Sequence, residues 1–471
     1  MKNHLVQVVD RARQGFKRSR SGNVSTSQLV LVPPELWLKI FSYLSTSSDI
    51  KAATLTCHCF RQLAQSLLFA KIYTHPAPPT LALRSLQNKY RRRTSQRLEF
   101  FLSPHIAPAV RECWIDPPSP EDDDLPTDVL IDAIFDGLRK LPNLKVLGCR
   151  SIRLNTKRLA VLQRLTLTAI TLESCPSDLA DFASLPPVPL SSVTFIYHDA
   201  ISQDAILPTL LSLFLSPRHL QRLLVTSTEI LPVITRSRPF KRLLHLEIPV
   251  ECLVGDLLIP ALSQCPALER ITLHTDSEGH IPRAGVVKAI PEDILRNLKF
   301  YRGPRNFVVL FATACHLQTI EISTPVKVHR LLRTLGQAHC PLNYLSFRID
   351  GVIPKTLLQS VHTLFPTLRT LSLNDPAVTP SEFQALLGET SPCPNVRVFR
   401  IRVEGRDRYN LWMPPMEEAA VAVECYKKVQ PEIVRVYPNL LTLKLLYGVE
   451  GGCVVWRRSG ATRQLVQVTG L

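Results

Sequence analysis

Cys57, His58 and Cys59 place two thiols and an imidazole at three consecutive positions. A zinc site built on them would need further ligands at fitting distance, and the chain offers no second Cys-x-x-Cys or His-x-x-x-His pair. His245 and His274 read as strand residues rather than ligands. There is no Gly-x-Ser-x-Gly elbow, no Gly-Lys-Ser/Thr phosphate loop and no His-Glu-x-x-His pair. With 38 prolines against 17 glycines, the composition favours short elements with firm stops over glycine-rich nucleotide loops. No catalytic constellation, metal or cofactor is implied. The chemistry that remains is binding: apolar side chains spaced for one helix face, and Arg and Tyr spaced along strands.

The apolar set requires helices to present it. Leu36, Ile40 and Leu44 recur every fourth position and share one face. Trp37 and Phe41 form an adjacent stripe. Pro34 suits the first helical turn, where its missing N–H costs nothing, and Glu35 there complements the helix dipole. A turn is expected at Ser45–Ser48, with Asp49 opening a second helix that carries Ile50, Ala53 and Leu55. Cys57, Phe60, Leu63 and Ala64 continue the apolar pattern. A piece this short, apolar on several faces, does not close a core by itself, so its surface wants a partner.

The residues Val32-Pro33, Glu35-Leu36, Ile40-Phe41, Leu44, Asp49-Ile50 and Thr56-Cys57-His58-Cys59-Phe60 follow one another in the order and spacing of an F-box, and this stretch resembles that family. Thr56 is usually aliphatic there, and His58 usually Lys or Arg. The resemblance covers Leu29 to Tyr73. It implies docking onto a Skp-type adaptor and, through it, a cullin ubiquitin ligase; the family itself does no chemistry. Carried across by position, Pro33, Leu36, Ile40, Leu44 and Ile50 would meet the adaptor, with Cys57 and Phe60 supporting.

At 471 residues and 45% hydrophobic composition, the chain calls for two or more domains or an elongated repeat. No window approaches a membrane span, and the basic, polar first 28 residues lack the apolar run of a secretory signal. The twelve cysteines are therefore expected as thiols in a reducing compartment, cytoplasmic and/or nuclear. The formal charge of +17 gathers at Arg11, Arg13, Lys17, Arg18 and Arg20, and at Arg91–Arg93, read as a basic loop. Such patches also suit nuclear import or an anionic partner. Glu121–Asp124, after Pro117–Pro120, reads as a surface loop.

Beyond Pro104 a unit recurs: hydrophobic-x-x-hydrophobic-x-hydrophobic. Copies start at Val110, Leu144, Leu167, Leu190, Leu220, Leu243, Leu268, Leu295, Leu317, Leu342, Leu368, Val396 and Leu440. Those before Leu220 are irregular. Helical runs precede many of them, at Asp256–Gln264, Val308–Ala314, Val328–Ala338, Lys355–Leu364 and Ser381–Leu387. Thr379-Pro380-Ser381-Glu382 has the form of a capping box. A period in the twenties with one strand and one helix resembles leucine-rich repeats, although the usual Asn after the strand is mostly absent. The competing reading, a doubly wound α/β domain, would need glycine-rich turns at strand ends. The expected fold is α/β: an N-terminal three-helix F-box followed by a leucine-rich-repeat-like α/β solenoid. The divisions are a disordered basic segment (1–28), the F-box (29–75), a helical and basic linker (76–104), the solenoid (105–450) and a C-terminal tail (451–471).

Strand alternation would turn Arg270, Thr272 and His274, then Asn297, Lys299 and Tyr301, then Tyr344, Ser346 and Arg348, then Arg400 and Arg402, then Lys444 to the concave solvent side. From these, Arg270, His274, Lys299, Tyr301, Tyr344, Arg348, Arg400 and Arg402 form the expected target-binding set. Arg grips carboxylate or phosphate with paired donors, so an acidic or phosphorylated target protein fits. The expected role is the non-catalytic substrate-recognition subunit of a Skp/cullin/F-box ubiquitin ligase. The alternatives are an F-box scaffold without ubiquitin transfer and a basic nucleic-acid-binding protein.

Overall fold

A computed structural model describes residues 33–44, 46–74, 84–116, 127–176, 186–197, 207–275, 290–314, 317–336, 340–350, 353–403, 415–447, 452–458 and 465–468. The basic segment of residues 1–28 and the acidic run Glu121–Asp124 with its prolines lie outside these residues. The chain divides into two compact units, Met1–Trp114 with Pro118–Lys145, and Ile115–Pro117 with Val146–Leu471. The expected boundary at residue 105 falls inside the first.

The first unit opens with three short helices, α1 (Pro34–Phe41), α2 (Ser47–Thr54) and α3 (His58–Leu68). Strand β1 (Lys71–Thr74), helix α4 (Arg84–Phe101), strand β2 (Glu112–Ile115) and helix α5 (Thr127–Leu138) follow. β2 lies beside β1: Arg111 and Glu112 both donate backbone N–H groups to Ala70 O, at 2.8 and 3.0 Å. Arg91–Arg93 lie within α4, not in a loop. No Gly or Pro interrupts residues 84–101, and Arg, Lys, Gln and Leu are good helix formers.

The second unit is a mixed α/β structure. Its strands are β3 (Val146–Arg150), β4 (Ala169–Glu173), β5 (Ser192–Ile196), β6 (Arg222–Val225), β7 (His245–Pro249), β8 (Arg270–His274), β9 (Phe300–Gly303), β10 (Thr319–Val326), β11 (Tyr344–Ile349), β12 (Thr370–Val378), β13 (Val398–Val403) and β14 (Thr442–Tyr447). Each is parallel to the next, and their order in the sheet is chain order. A doubly wound sheet reverses at a switch point; this one does not. β3 to β5 pair as regularly as the later strands, contrary to the irregularity expected before Leu220.

Helices α6 (Thr156–Arg164), α7 (Leu207–Phe214), α8 (Ile230–Arg236), α9 (Leu258–Ser263), α10 (Val308–Ala314), α11 (Val328–Gly336), α12 (Leu357–Leu364), α13 (Pro380–Gly388) and α14 (Pro415–Val436) lie between strands. Their aromatic residues meet the buried strand residues, as in Phe214 with Phe195 (centroids 5.9 Å apart) and Phe383 with Phe399 (5.9 Å). The capping box at Thr379 is formed: its N–H donates to Glu382 Oε2 at 2.8 Å, and Glu382 N–H donates to Thr379 Oγ1 at 3.3 Å. Residues of the expected C-terminal tail form β15 (Gly452–Arg458), antiparallel to β14, and β16 (Leu465–Val468), antiparallel to β15.

The expected unit starts sit two residues ahead of β2 to β14, with one exception. Each start is buried, from Val110 and Leu220 at 0% exposure to Leu167 at 4%. The reason lies in the backbone. Gln221 and Arg222 both donate N–H groups to Ser191 O, Leu244 and His245 to Gln221 O, Glu269 and Arg270 to Leu244 O, and so on to Leu441 and Thr442 on Arg397 O. The accepting carbonyl always belongs to the residue after the first apolar position.

The exception is Leu295. Lys299 and Phe300 donate to Glu269 O, and Tyr301 pairs with Ile271, so that unit starts at Leu298. Tyr301 therefore takes the position of an inward aliphatic residue. It is fully buried, its ring 5.3 Å from Phe311 and its hydroxyl donating to Pro304 O at 2.6 Å. It is not on the solvent face, which corrects its place in the target-binding set. Gly303 makes room for it: a Cβ there would stand 2.8 Å from Tyr301 Oη and 2.9 Å from Leu273 Cβ.

A second series of links ties units together. Asn297 Nδ2 donates to Pro266 O at 3.0 Å, Asn395 to Pro366 O at 2.8 Å and Asn439 to Pro394 O at 3.1 Å. Each Asn directly precedes its unit's first apolar residue, not the position after the strand where the sequence pattern looks bare.

Gly303→Ala should destabilise the second unit by about 1–3 kcal/mol through overpacking, measured by urea unfolding; an unchanged midpoint would show that Tyr301 moves freely. His362 is buried with Nε2 3.1 Å from Tyr437 Oη, and burial lowers its pKa from 6.5 to about 4. The unfolded chain thus takes up this proton before the native one does, so His362 costs stability as pH falls from 6.5 to about 4. His362→Gln should flatten that part of the stability–pH curve.

Candidate functional site

The first candidate surface is made by the three short helices of the first unit. Leu36 N–H donates to Pro33 O at 3.0 Å, so Pro33 starts α1 and Pro34 occupies a position that needs no donor. Thr46, rather than Asp49, caps α2, its Oγ1 accepting the Asp49 N–H at 3.0 Å. Cys57 caps α3, its sulfur accepting the Phe60 N–H at 3.4 Å. That use of Cys57 is structural and local.

The two apolar stripes of α1 part company. Trp37 and Phe41 turn toward α3: their rings lie 4.5 and 5.1 Å from that of Phe60, and Phe41 is buried. The other stripe stays open. Leu36 is 51% exposed, Pro33 is exposed, and Ile40 and Leu44 are half-buried. Ile50, Cys57 and Phe60 are half-buried too, while Leu55, expected on the second helix, follows its last residue and is 78% exposed. A Leu half in water on a helix whose other stripe is packed is an apolar surface lacking its cover.

The second candidate surface is the solvent face of β3 to β14. Arg270 is exposed, with its guanidinium 5.0 Å over the Phe300 ring. His274 Nε2 lies 3.4 Å from Glu247 Oε2, and the same carboxylate accepts from Arg222 at 2.9 Å. The approach of His274, then the hydrogen bond from Arg222, holds Glu247 below the usual carboxylate range against the opposing effect of burial. Lys299 reaches Glu269 at 3.0 Å, and Arg302 approaches Glu321 at 3.8 Å. Tyr344 is half-buried, and burial pushes its phenol up. Arg348 is exposed; Arg400 and Arg402 are half-buried. Thus six of the eight expected residues reach this face, and Arg270 and His274 spend their contacts within the sheet. Lys299, like Glu269, stands one residue after its unit's first apolar position and ahead of β9, so the start at Leu298 displaces it along with Tyr301.

His245 and His274 do not converge: in the β7–β8 register His245 pairs with Arg270 and His274 with Pro249. Among the described residues no three His, Cys, Asp or Glu side chains gather closely enough to hold a metal ion. Cys113, Cys175 and Cys265 are buried, and burial pushes their thiols up to about 12, so they are not nucleophiles at neutral pH. No described helix is long and apolar enough to cross a membrane.

A family model for F-box-like domains matches residues 29–75, the segment that contains the three short helices and β1. Among curated proteins none matches the chain. The chain therefore carries an F-box-like domain, and the open stripe of Leu36 lies within it.

Glu247 supplies a test of the face's internal pairing. Its lowered pKa means that its contribution to stability is present above 4.5, the value of a free carboxyl, and is lost as pH falls through the lower native value. Glu247→Gln should lower the thermal midpoint at pH 7, and the difference from wild type should shrink as pH falls below 4.5. Equal midpoints at pH 7 would show that the Arg222 and His274 contacts are idle.

Proposed function

We propose that the chain is a substrate-recognition subunit of a Skp/cullin/F-box ubiquitin ligase, acting by placement and not by catalysis. The observation that carries this reading is the divided helix α1: Trp37 and Phe41 packed on Phe60, Leu36 left 51% exposed within a segment matched by an F-box-like family model. On this reading Pro33, Leu36, Ile40, Leu44 and Ile50 enter a Skp-type adaptor, and Cys57 and Phe60 hold α1 and α3 in place behind them. F-box domains bind such adaptors, and a cullin would be joined through it.

The parallel strands in chain order, with a helix between most of them, support a leucine-rich-repeat-like solenoid running from about residue 105 to 450, in which each unit buries its apolar edge on the next. Its solvent face would bind the target protein, an acidic or phosphorylated one. The site of action would be the cytoplasm and/or nucleus. An F-box scaffold that binds the adaptor without ubiquitin transfer has the same surfaces; cullin co-purification with a target half-life assay separates the two.

Leu36→Ala should cost about 2–4 kcal/mol of adaptor binding, as for an interface hot spot. The Pro33→Ala/Leu36→Ala double variant should recover no Skp-type adaptor in a pull-down from which the wild-type chain recovers it. Undiminished recovery by the double variant would sink the reading.

A further inference from the structure

The solvent face of the second unit is unevenly matched in charge. On the earlier strands the cations meet acids: Arg150 with Glu173 at 2.8 Å, Arg222 with Glu247 at 2.9 Å, Arg302 with Glu321 at 3.8 Å. On β13 and β14 the pattern changes. Arg400 is the direct cross-strand partner of Lys444. Neighbouring strands lie about 4.8 Å apart, and like charges placed opposite each other destabilise a sheet. No carboxylate of a described residue forms an ion pair with either side chain.

Arg400 Nε is buried and has no hydrogen-bond partner among the described residues. An unmet donor of this kind costs free energy, and no partner anchors the guanidinium through this nitrogen. Its neighbour on the other side is Ser372. That side is closed on itself: Ser372 Oγ donates to Asn374 Oδ1 at 2.9 Å, and Asn374 Nδ2 donates to Ser346 Oγ at 3.0 Å. The relay is neutral and brings no negative charge to the guanidinium. Arg400 and Lys444 are both half-buried, so they remain open to solvent. Arg348 and Arg402, by contrast, have partners of their own.

We propose that Arg400 and Lys444 together seat one phosphate group, carried on a phosphorylated side chain of the target protein. This rests on the reading that the solvent face binds the target, and narrows it to one pair of residues. Two fixed cations match a phosphate of charge about −1.5 to −2 at neutral pH, whereas a carboxylate would neutralise only one. The terminal nitrogens of the half-buried guanidinium offer planar paired donors to two oxygens, and the ammonium adds a point charge.

The test immobilises the full-length chain and offers three degenerate peptide pools with a fixed central phosphothreonine, threonine or glutamate. The wild type should retain the phosphothreonine pool at least tenfold better than the threonine pool. Arg400→Gln/Lys444→Gln should lose that preference while melting no lower than the wild type, because a repelling pair has been removed. If the double variant melts lower, Lys444→Gln alone serves in its place. Equal retention of the phosphothreonine and threonine pools by the wild type overturns the proposal. So does an unchanged preference in the folded variant, or retention of the glutamate pool as strong as that of the phosphothreonine pool. Capture of a Skp-type adaptor is measured on the same preparations and should not respond to these substitutions. Its absence in the wild type would remove the ligase reading while leaving the peptide result to stand on its own.

Discussion

The sheet of the second unit depends on one repeated hydrogen-bonding arrangement. A single carbonyl, on the residue after each unit's first apolar position, accepts two consecutive N–H groups from the next unit. No unit can satisfy these groups alone, since buried backbone donors must find acceptors. The arrangement fixes the register, and the register puts Ile271 beside Leu246 and Tyr301 beside Ile271 on the buried side. It also sets the polar side chains into rows, so Glu247 comes to lie between Arg222 and His274. The chemistry of the solvent face is thus a by-product of backbone pairing.

The first unit works from a different constraint. α1 carries more apolar surface than α3 can cover, and the ring cluster of Trp37, Phe41 and Phe60 decides which half is covered. The bulky aromatic stripe, with the larger area to bury, wins the inside. Leu36 is left at the surface as a consequence of that competition.

Much of this was legible in the amino-acid order. The backbone period demands an apolar residue at fixed places, so starts such as Leu220, Leu268 and Leu368 can be read directly. Leu295 misleads because Leu295, Leu298 and Phe300 satisfy the same pattern as the true start. The actual unit, Leu298, Tyr301 and Gly303, ends on a residue that carries no side chain and so gives no apolar signal. The Asn links were visible as Pro394-Asn395-Val396 and Pro438-Asn439-Leu440, but at a place where no link was expected. Ion pairs were not legible: Lys299 and Glu269 are thirty residues apart, and only the register brings them together. Cys57 was recognisable by type, but its service as a helix cap depends on an extended backbone at that residue.

The reversal of direction at β15 and β16 bears on how copies of the chain meet one another. A bare parallel edge at β14 would be a template for the first strand of another molecule, and stacking of that kind propagates into fibres. An antiparallel hairpin occupies that edge, and its outer strand spans only Leu465–Val468. β16, antiparallel to β15, runs again in the direction of β14, so polarity alone does not turn another strand away; its four residues offer few hydrogen bonds, and that shortness is what blunts this edge against head-to-tail stacking.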